Sequence, residues 1–117
     1  IYSVNIYPES VRKAFEKRDL QESLTSKFTM VVDYDKKQNQ YLEIHVELKP
    51  GVKKSKDIEH KMLSSVIEQL NEENSEWRDF YHDSGIRDKV TPKIVLWPYH
   101  HEKYFRPGGK QKWVKKN

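Results

Sequence analysis

Leu42-Glu43-Ile44-His45-Val46-Glu47-Leu48, followed by Lys49-Pro50-Gly51, alternates apolar and polar residues along its whole length. Successive side chains of a strand point to opposite faces of the sheet, so this alternation predicts a strand with one buried face. Upstream, Phe28, Met30 and Val32 alternate with Thr29, Val31 and Asp33, and the stretch 35–40 between the two runs is polar. Together they predict a β-hairpin. Leu42, Ile44, Val46 and Leu48 face the core, while Glu43, His45 and Glu47 are expected at the surface. Pro50-Gly51 ends the second strand, since proline lacks a ladder donor and glycine bends freely.

Helical signals flank the hairpin. Pro8 suits a first helical turn because it has no N–H to lose, and Val11, Ala14 and Phe15 then share one face, which predicts a helix over 8–17. Ser55 is placed to cap a second helix, with Asp57 and Glu59 near its positive end. Ile58, Met62, Leu63, Val66, Ile67 and Leu70 form its apolar stripe. Asn74 and Ser75 cap a short aromatic helix carrying Trp77, Phe80 and Tyr81, read as a satellite core, with Gly85 as its stop. Lys93–Trp97 reads as a strand interrupted by Pro98, and 111–114 as an edge strand. With an opening strand at Val4-Asn5-Ile6, the order is strand, helix, strand, strand, helix, strand. This is an α+β class with a mainly antiparallel sheet, two main helices on one face, a ferredoxin-like layout and a terminal basic hairpin.

A chain of 117 residues fits one domain spanning 1–117, with a hydrophobic share of 35% against a charged share of 34%. There are no cysteines, which rules out a disulfide scaffold and cysteine-ligated metals. No apolar run approaches the roughly 20 residues that span a bilayer, so a cytoplasmic location and no membrane contact are expected. The net charge of +4 is unevenly spread. Lys110, Lys112, Lys115 and Lys116 crowd the end, and Lys49, Lys53, Lys54 and Lys56 gather around Pro50-Gly51. Both clusters suit phosphate, although solvated faces have the same composition. His100-His101-Glu102 lacks standard metal spacing, so no metal is expected there.

The end of the chain carries the strongest chemical signal. In Arg106-Pro107-Gly108-Gly109-Lys110-Gln111-Lys112 the glycines let the backbone approach a ligand closely and present a lysine behind them. The segment follows the apolar run Ile94-Val95-Leu96-Trp97-Pro98, and the chain opens with Tyr2-Ser3-Val4-Asn5-Ile6-Tyr7-Pro8. In order and spacing these motifs, with the central hairpin, resemble the C-terminal lid domain of phenylacetate–CoA ligase-like adenylate-forming enzymes across nearly the whole chain. The resemblance implies a fragment of an AMP-forming acid–thiol ligase, inactive when isolated. Lys110 would be the adenylation lysine. Arg106, Gly109 and Lys112 would line the nucleotide side, and Ser3, Val4 and Asn5 would face the thioester-forming site in a second orientation of the lid. ATP and CoA would be the cofactors. Mg, bound by the absent N-terminal domain, would assist, and the partners would be that domain and a carboxylic acid substrate, an aryl acid among the candidates. Tyr2 and Ser3 stand where Arg and Gly are common in the family, and by the resemblance a serine in place of glycine would narrow the channel for a pantetheine arm.

Two other classes fit the composition. A basic nucleic-acid-binding module would use Trp97, Tyr99, Tyr104, Phe105 and Trp113 for stacking. It is disfavoured because Glu43 and Glu47 would repel phosphate from the open face of the hairpin. A non-catalytic ligand-binding domain is the third.

Overall fold

The computed structural model describes residues 6–83 and 85–106, together with the backbone of 114–116. Helix α1 spans Pro8–Ala14 and α2 spans Arg18–Gln21. Strands β1, Leu24–Tyr34, and β2, Gln40–Leu48, form the expected hairpin. Helix α3 covers Lys56–Glu73, α4 covers Ser75–Tyr81 and α5 covers Arg87–Val90. Strand β3 is Lys93–Trp97 and β4 is Val114–Lys116.

The local chemistry behind these elements is visible in their ends. The Ser55 hydroxyl accepts from the Ile58 N–H at 3.2 Å, and the Asn74 side chain accepts from the Trp77 N–H at 2.9 Å, so each caps the helix that follows. Gly51 sits at φ 78°, the left-handed region open to glycine without cost. Helix α1 stops at Ala14, one turn earlier than its apolar spacing suggests, and the Ser65 hydroxyl of α3 donates to the Ala14 carbonyl at 2.6 Å. The freed carbonyl at the end of α1 is thereby satisfied from another element.

The sheet order is β3-β2-β1-β4. The central pair is antiparallel, with Phe28 opposite Val46, Met30 opposite Ile44 and Val32 opposite Leu42. The outer strands add in parallel, β3 to β2 and β4 to β1, so the sheet is antiparallel at its centre and parallel at both edges. The terminal hairpin expected after Trp97 takes a different form. Strand β4 lies at the edge opposite β3, and residues 111–113 of the expected edge strand lie outside the described residues.

Helices α1 and α3 cover one face. Val11, Ala14 and Phe15 of the α1 segment and Met62, Val66 and Leu70 of α3 are buried with Phe28, Met30, Ile44, Val46, Ile94 and Leu96. Ile58, Leu63 and Ile67 flank them, half-buried. One expectation about this layer is corrected. Trp77 is fully buried within the main core, and Phe80 and Tyr81 pack against that core, so α4 is no satellite. The Trp77 indole N–H donates to the Val90 carbonyl at 2.9 Å, which fastens α5 beneath it.

Candidate functional site

The opposite sheet face is covered as well, which corrects the expected exposure of the hairpin's polar residues. His45 is 4% exposed and Glu47 0%, while Glu43 is half-buried. Their cover is the segment 98–106, a strap that leaves β3 and crosses the face of β2. Pro98–His101 makes a turn closed by His101 N–H donating to the Pro98 carbonyl at 3.2 Å, with His100 at φ 58°. The Phe105 N–H donates to the His101 carbonyl at 2.7 Å, and Phe105 is buried at 3% exposure. In these tight turns the His100 ring stacks on Tyr99 and the His101 ring lies against Trp97.

Two polar groups organise the contact between strap and sheet. The Trp97 indole N–H donates to Nδ1 of His45 at 2.6 Å, which leaves Nδ1 as an acceptor and puts the imidazole proton on Nε2. Nε2–H then donates to Glu43 Oε1 at 2.9 Å. With both nitrogens engaged, the ring is fixed for the Tyr104 ring to pack on it at a centroid distance of 4.4 Å. Glu47 is the second group. Its Oε1 accepts from the Thr25 hydroxyl at 2.7 Å and its Oε2 from the backbone N–H of His100 at 2.8 Å. No lysine or arginine pairs with Glu47 among the described residues.

Both donors reach Glu47 through unusual backbone. His100 turns its N–H inward from the left-handed region, and Thr25 lies where β1 bulges. There the register passes from Leu24 opposite Leu48 to Phe28 opposite Val46, with Ser26 at φ 75°. Nothing in the spacing of Glu47 among apolar residues distinguishes this arrangement from an exposed alternation, because its partners come from 22 and 53 residues away.

Of the residues singled out for chemistry, Arg106 is described. It is exposed, directly beyond the buried Phe105. Ser3, Val4, Asn5, Gly109, Lys110 and Lys112 lie outside the described residues. The lysine cluster after β2 surrounds the start of α3, where Lys54, Ser55, Lys56 and Glu59 line a cleft of about 320 Å³ against Ile94, Val95 and Leu96. At the other end of β2, burial and the neighbouring carboxyls of Glu43, Asp33 and Asp35 push the Tyr41 hydroxyl above its ordinary value. It therefore stays protonated, and the Lys93 ammonium rests 4.4 Å from the ring centroid. No group of three or more histidine, aspartate or glutamate residues suited to a metal occurs among the described residues. No helix among them is long and apolar enough to cross a membrane.

These observations define a small α+β domain whose sheet is covered by helices on one side and by a strap on the other. The fold is similar to the crystal structure of a domain of phenylacetate-coenzyme A ligase from Bacteroides vulgatus ATCC 8482. The TM-score is 0.54 over 97% of this chain and 88% of that one, at 17% sequence identity. At that identity the likeness is one of fold, and the protein it leads to is of the same kind as the one the sequence motifs resemble. No protein-family model matches the chain, and neither does any curated protein.

Proposed function

We propose that this chain is the C-terminal domain of an AMP-forming carboxylic acid–CoA ligase of the phenylacetate–CoA ligase type, acting as a mobile lid on a separate N-terminal domain. The observation that carries the reading is the agreement of two independent likenesses. The end motifs resemble that family, and the fold matches a domain of phenylacetate-coenzyme A ligase along 97% of the chain. A nucleic-acid reader is less well supported, since the sheet face that would stack bases is occupied by the strap and holds Glu43 and Glu47.

In the proposed reaction a carboxylate oxygen of the acid attacks the α-phosphorus of ATP, the bond to the bridging oxygen breaks and pyrophosphate leaves. Both reactants are anionic, so a positioned cation lowers the barrier, and Lys110 is assigned that role. Arg106 fits as a further phosphate contact because it is exposed and lies four residues before Lys110 in the sequence. Magnesium held by the N-terminal domain would neutralise phosphate charge. In the second step the lid turns Ser3, Val4 and Asn5 toward the site, and the CoA thiol displaces AMP from the acyl-adenylate. A cytoplasmic location is proposed along with this reading.

The test is to assay the two half-reactions separately in the full-length ligase. Lys110→Ala should slow adenylation by about a hundredfold or more, the loss typical of one preorganised electrostatic group. Lys112→Ala should do much less. Lys110→Arg should rescue incompletely, because a planar fork does not occupy the position of a compact ammonium. Thioester formation from supplied acyl-adenylate should persist in all three. Normal adenylation by Lys110→Ala, or equal losses in both steps, would overturn the assignment.

A further inference from the structure

The sheet ends at β3, whose neighbour among the described strands is β2 alone. Every second residue of a parallel edge strand turns its N–H and C=O outward, and none of these outer groups on β3 has a backbone partner among the described residues. Ile94, Val95 and Leu96 all line the cleft beside α3. Successive side chains of a strand point to opposite faces, so three consecutive residues in one wall place the cleft along the edge of the strand. Edge strands commonly carry charges that deter pairing, but β3 is apolar from Ile94 to Trp97, and Lys93 at its start lies over the Tyr41 ring.

The facing wall is basic. Lys54 and Lys56 line it with Ser55 and Glu59, and Lys49 and Lys53 lie in the same connection between β2 and α3. None of these lysines forms an ion pair among the described residues, whereas Asp57 nearby is held by Lys61 at 3.1 Å. Unpaired cations therefore outnumber the carboxylate of Glu59 and leave the groove positive. We propose that this groove is a docking site for an extended acidic segment of a partner protein, which adds to the free edge of β3 as a further strand and sets its carboxylates against Lys54 and Lys56. Main-chain hydrogen bonds supply the pairing and alternate side chains the choice of partner. Acidic side chains point toward the start of α3, and the apolar ones between them lie beside half-buried Val95 on the other face. A second copy of the chain is a poorer occupant, because its β3 would bring no carboxylate to these lysines. An oligonucleotide would meet the lysines but has no peptide main chain to continue the sheet. The groove lies within this chain, so its occupation is independent of the lid assignment.

The test titrates the isotope-labelled 117-residue chain with a capped peptide alternating glutamate and valine, and follows amide shifts and hydrogen exchange by NMR. Binding should saturate, protect alternate amides within Lys93–Trp97 from exchange and shift the amides of 53–59. The same peptide N-methylated along its length should bind at least about tenfold more weakly, since it has no N–H to donate. That comparison leaves the protein untouched. Lys54→Ala combined with Lys56→Ala should weaken binding about tenfold through the loss of two ion pairs, and Glu59→Gln should tighten it. Both lysines are exposed, so the double variant keeps the fold. No shifts at millimolar peptide, or equal binding by the N-methylated peptide or by one alternating lysine and valine, would each overturn the proposal. So would tighter binding of a single-stranded oligonucleotide than of the glutamate peptide. Protection of the outer β3 amides before any peptide is added would show that the edge is already taken, by a second copy where sedimentation gives a dimer.

Discussion

Glu73, at the end of α3, collects donors from three side chains. The Ser10 hydroxyl reaches one oxygen at 3.0 Å and the Lys13 ammonium the other at 2.8 Å, with the Gln69 amide beside it. Lys17 pairs with Glu68 on the same seam. The Lys13 ammonium, supported by Ser10 and Gln69, holds the Glu73 carboxyl below its ordinary value of 4.5, against the opposing effect of burial. A carboxyl whose folded value is depressed stabilises the fold above its unfolded value and loses that contribution as the pH falls through the folded value. Stability of the parent should therefore decline on acidification below pH 4.5 more steeply than that of Glu73→Gln, which never carries the charge. Chemical denaturation across that acid range makes the comparison. Identical pH profiles for the two proteins would show that the α1–α3 contact owes nothing to this ion pair.

Among the elements, α4 shows most clearly how a short helix acquires importance from its packing. Seven residues from Ser75 to Tyr81 are too few to be stable alone, and isolated helices of that length are marginal in water. Trp77 supplies the missing stabilisation. It is 0% exposed, stacks on Tyr81 at 4.7 Å and donates to the Val90 carbonyl. Trp77→Ala should cost about 3–5 kcal/mol in denaturant unfolding, the range for deleting a buried aromatic from a main core. A loss near 1 kcal/mol would mean that the helix is a satellite after all. The longer α3 needs less help, because Met62, Val66 and Leu70 recur four residues apart and form one continuous stripe against the sheet.

For the molecule as a whole, the strap turns a two-layer sandwich into a sheet covered on both faces. The described cleft beside α3 holds about 320 Å³, lined by Lys54 and Lys56 but by no carboxylate pair suited to magnesium. Nor does the sequence contain a phosphate-binding loop. A lid contributes to catalysis only when another domain has positioned the reactants. The isolated 117-residue chain should therefore fold but release no pyrophosphate from ATP, with or without added carboxylic acids. Robust acid-dependent release by the purified chain would contradict the lid assignment.

What could be read from the sequence was what neighbouring residues decide among themselves. The caps at Ser55 and Asn74, the α3 stripe, the β-hairpin of the two alternating runs, and β3 at Lys93–Trp97 all rest on spacing and hydrogen bonds within a few residues or across one turn. The end motifs pointed to a family whose fold the chain shares. Tertiary structure decided the rest. Alternation in β2 says that Glu43, His45 and Glu47 share a face but not whether that face is wet. It is dry because Trp97 and His100, 52 and 53 residues along the chain, supply the hydrogen bonds that water would otherwise make. The edge taken by β4 has the same cause. Strand placement depends on which backbone edge remains open once the distant segments have packed, and no local pattern encodes that.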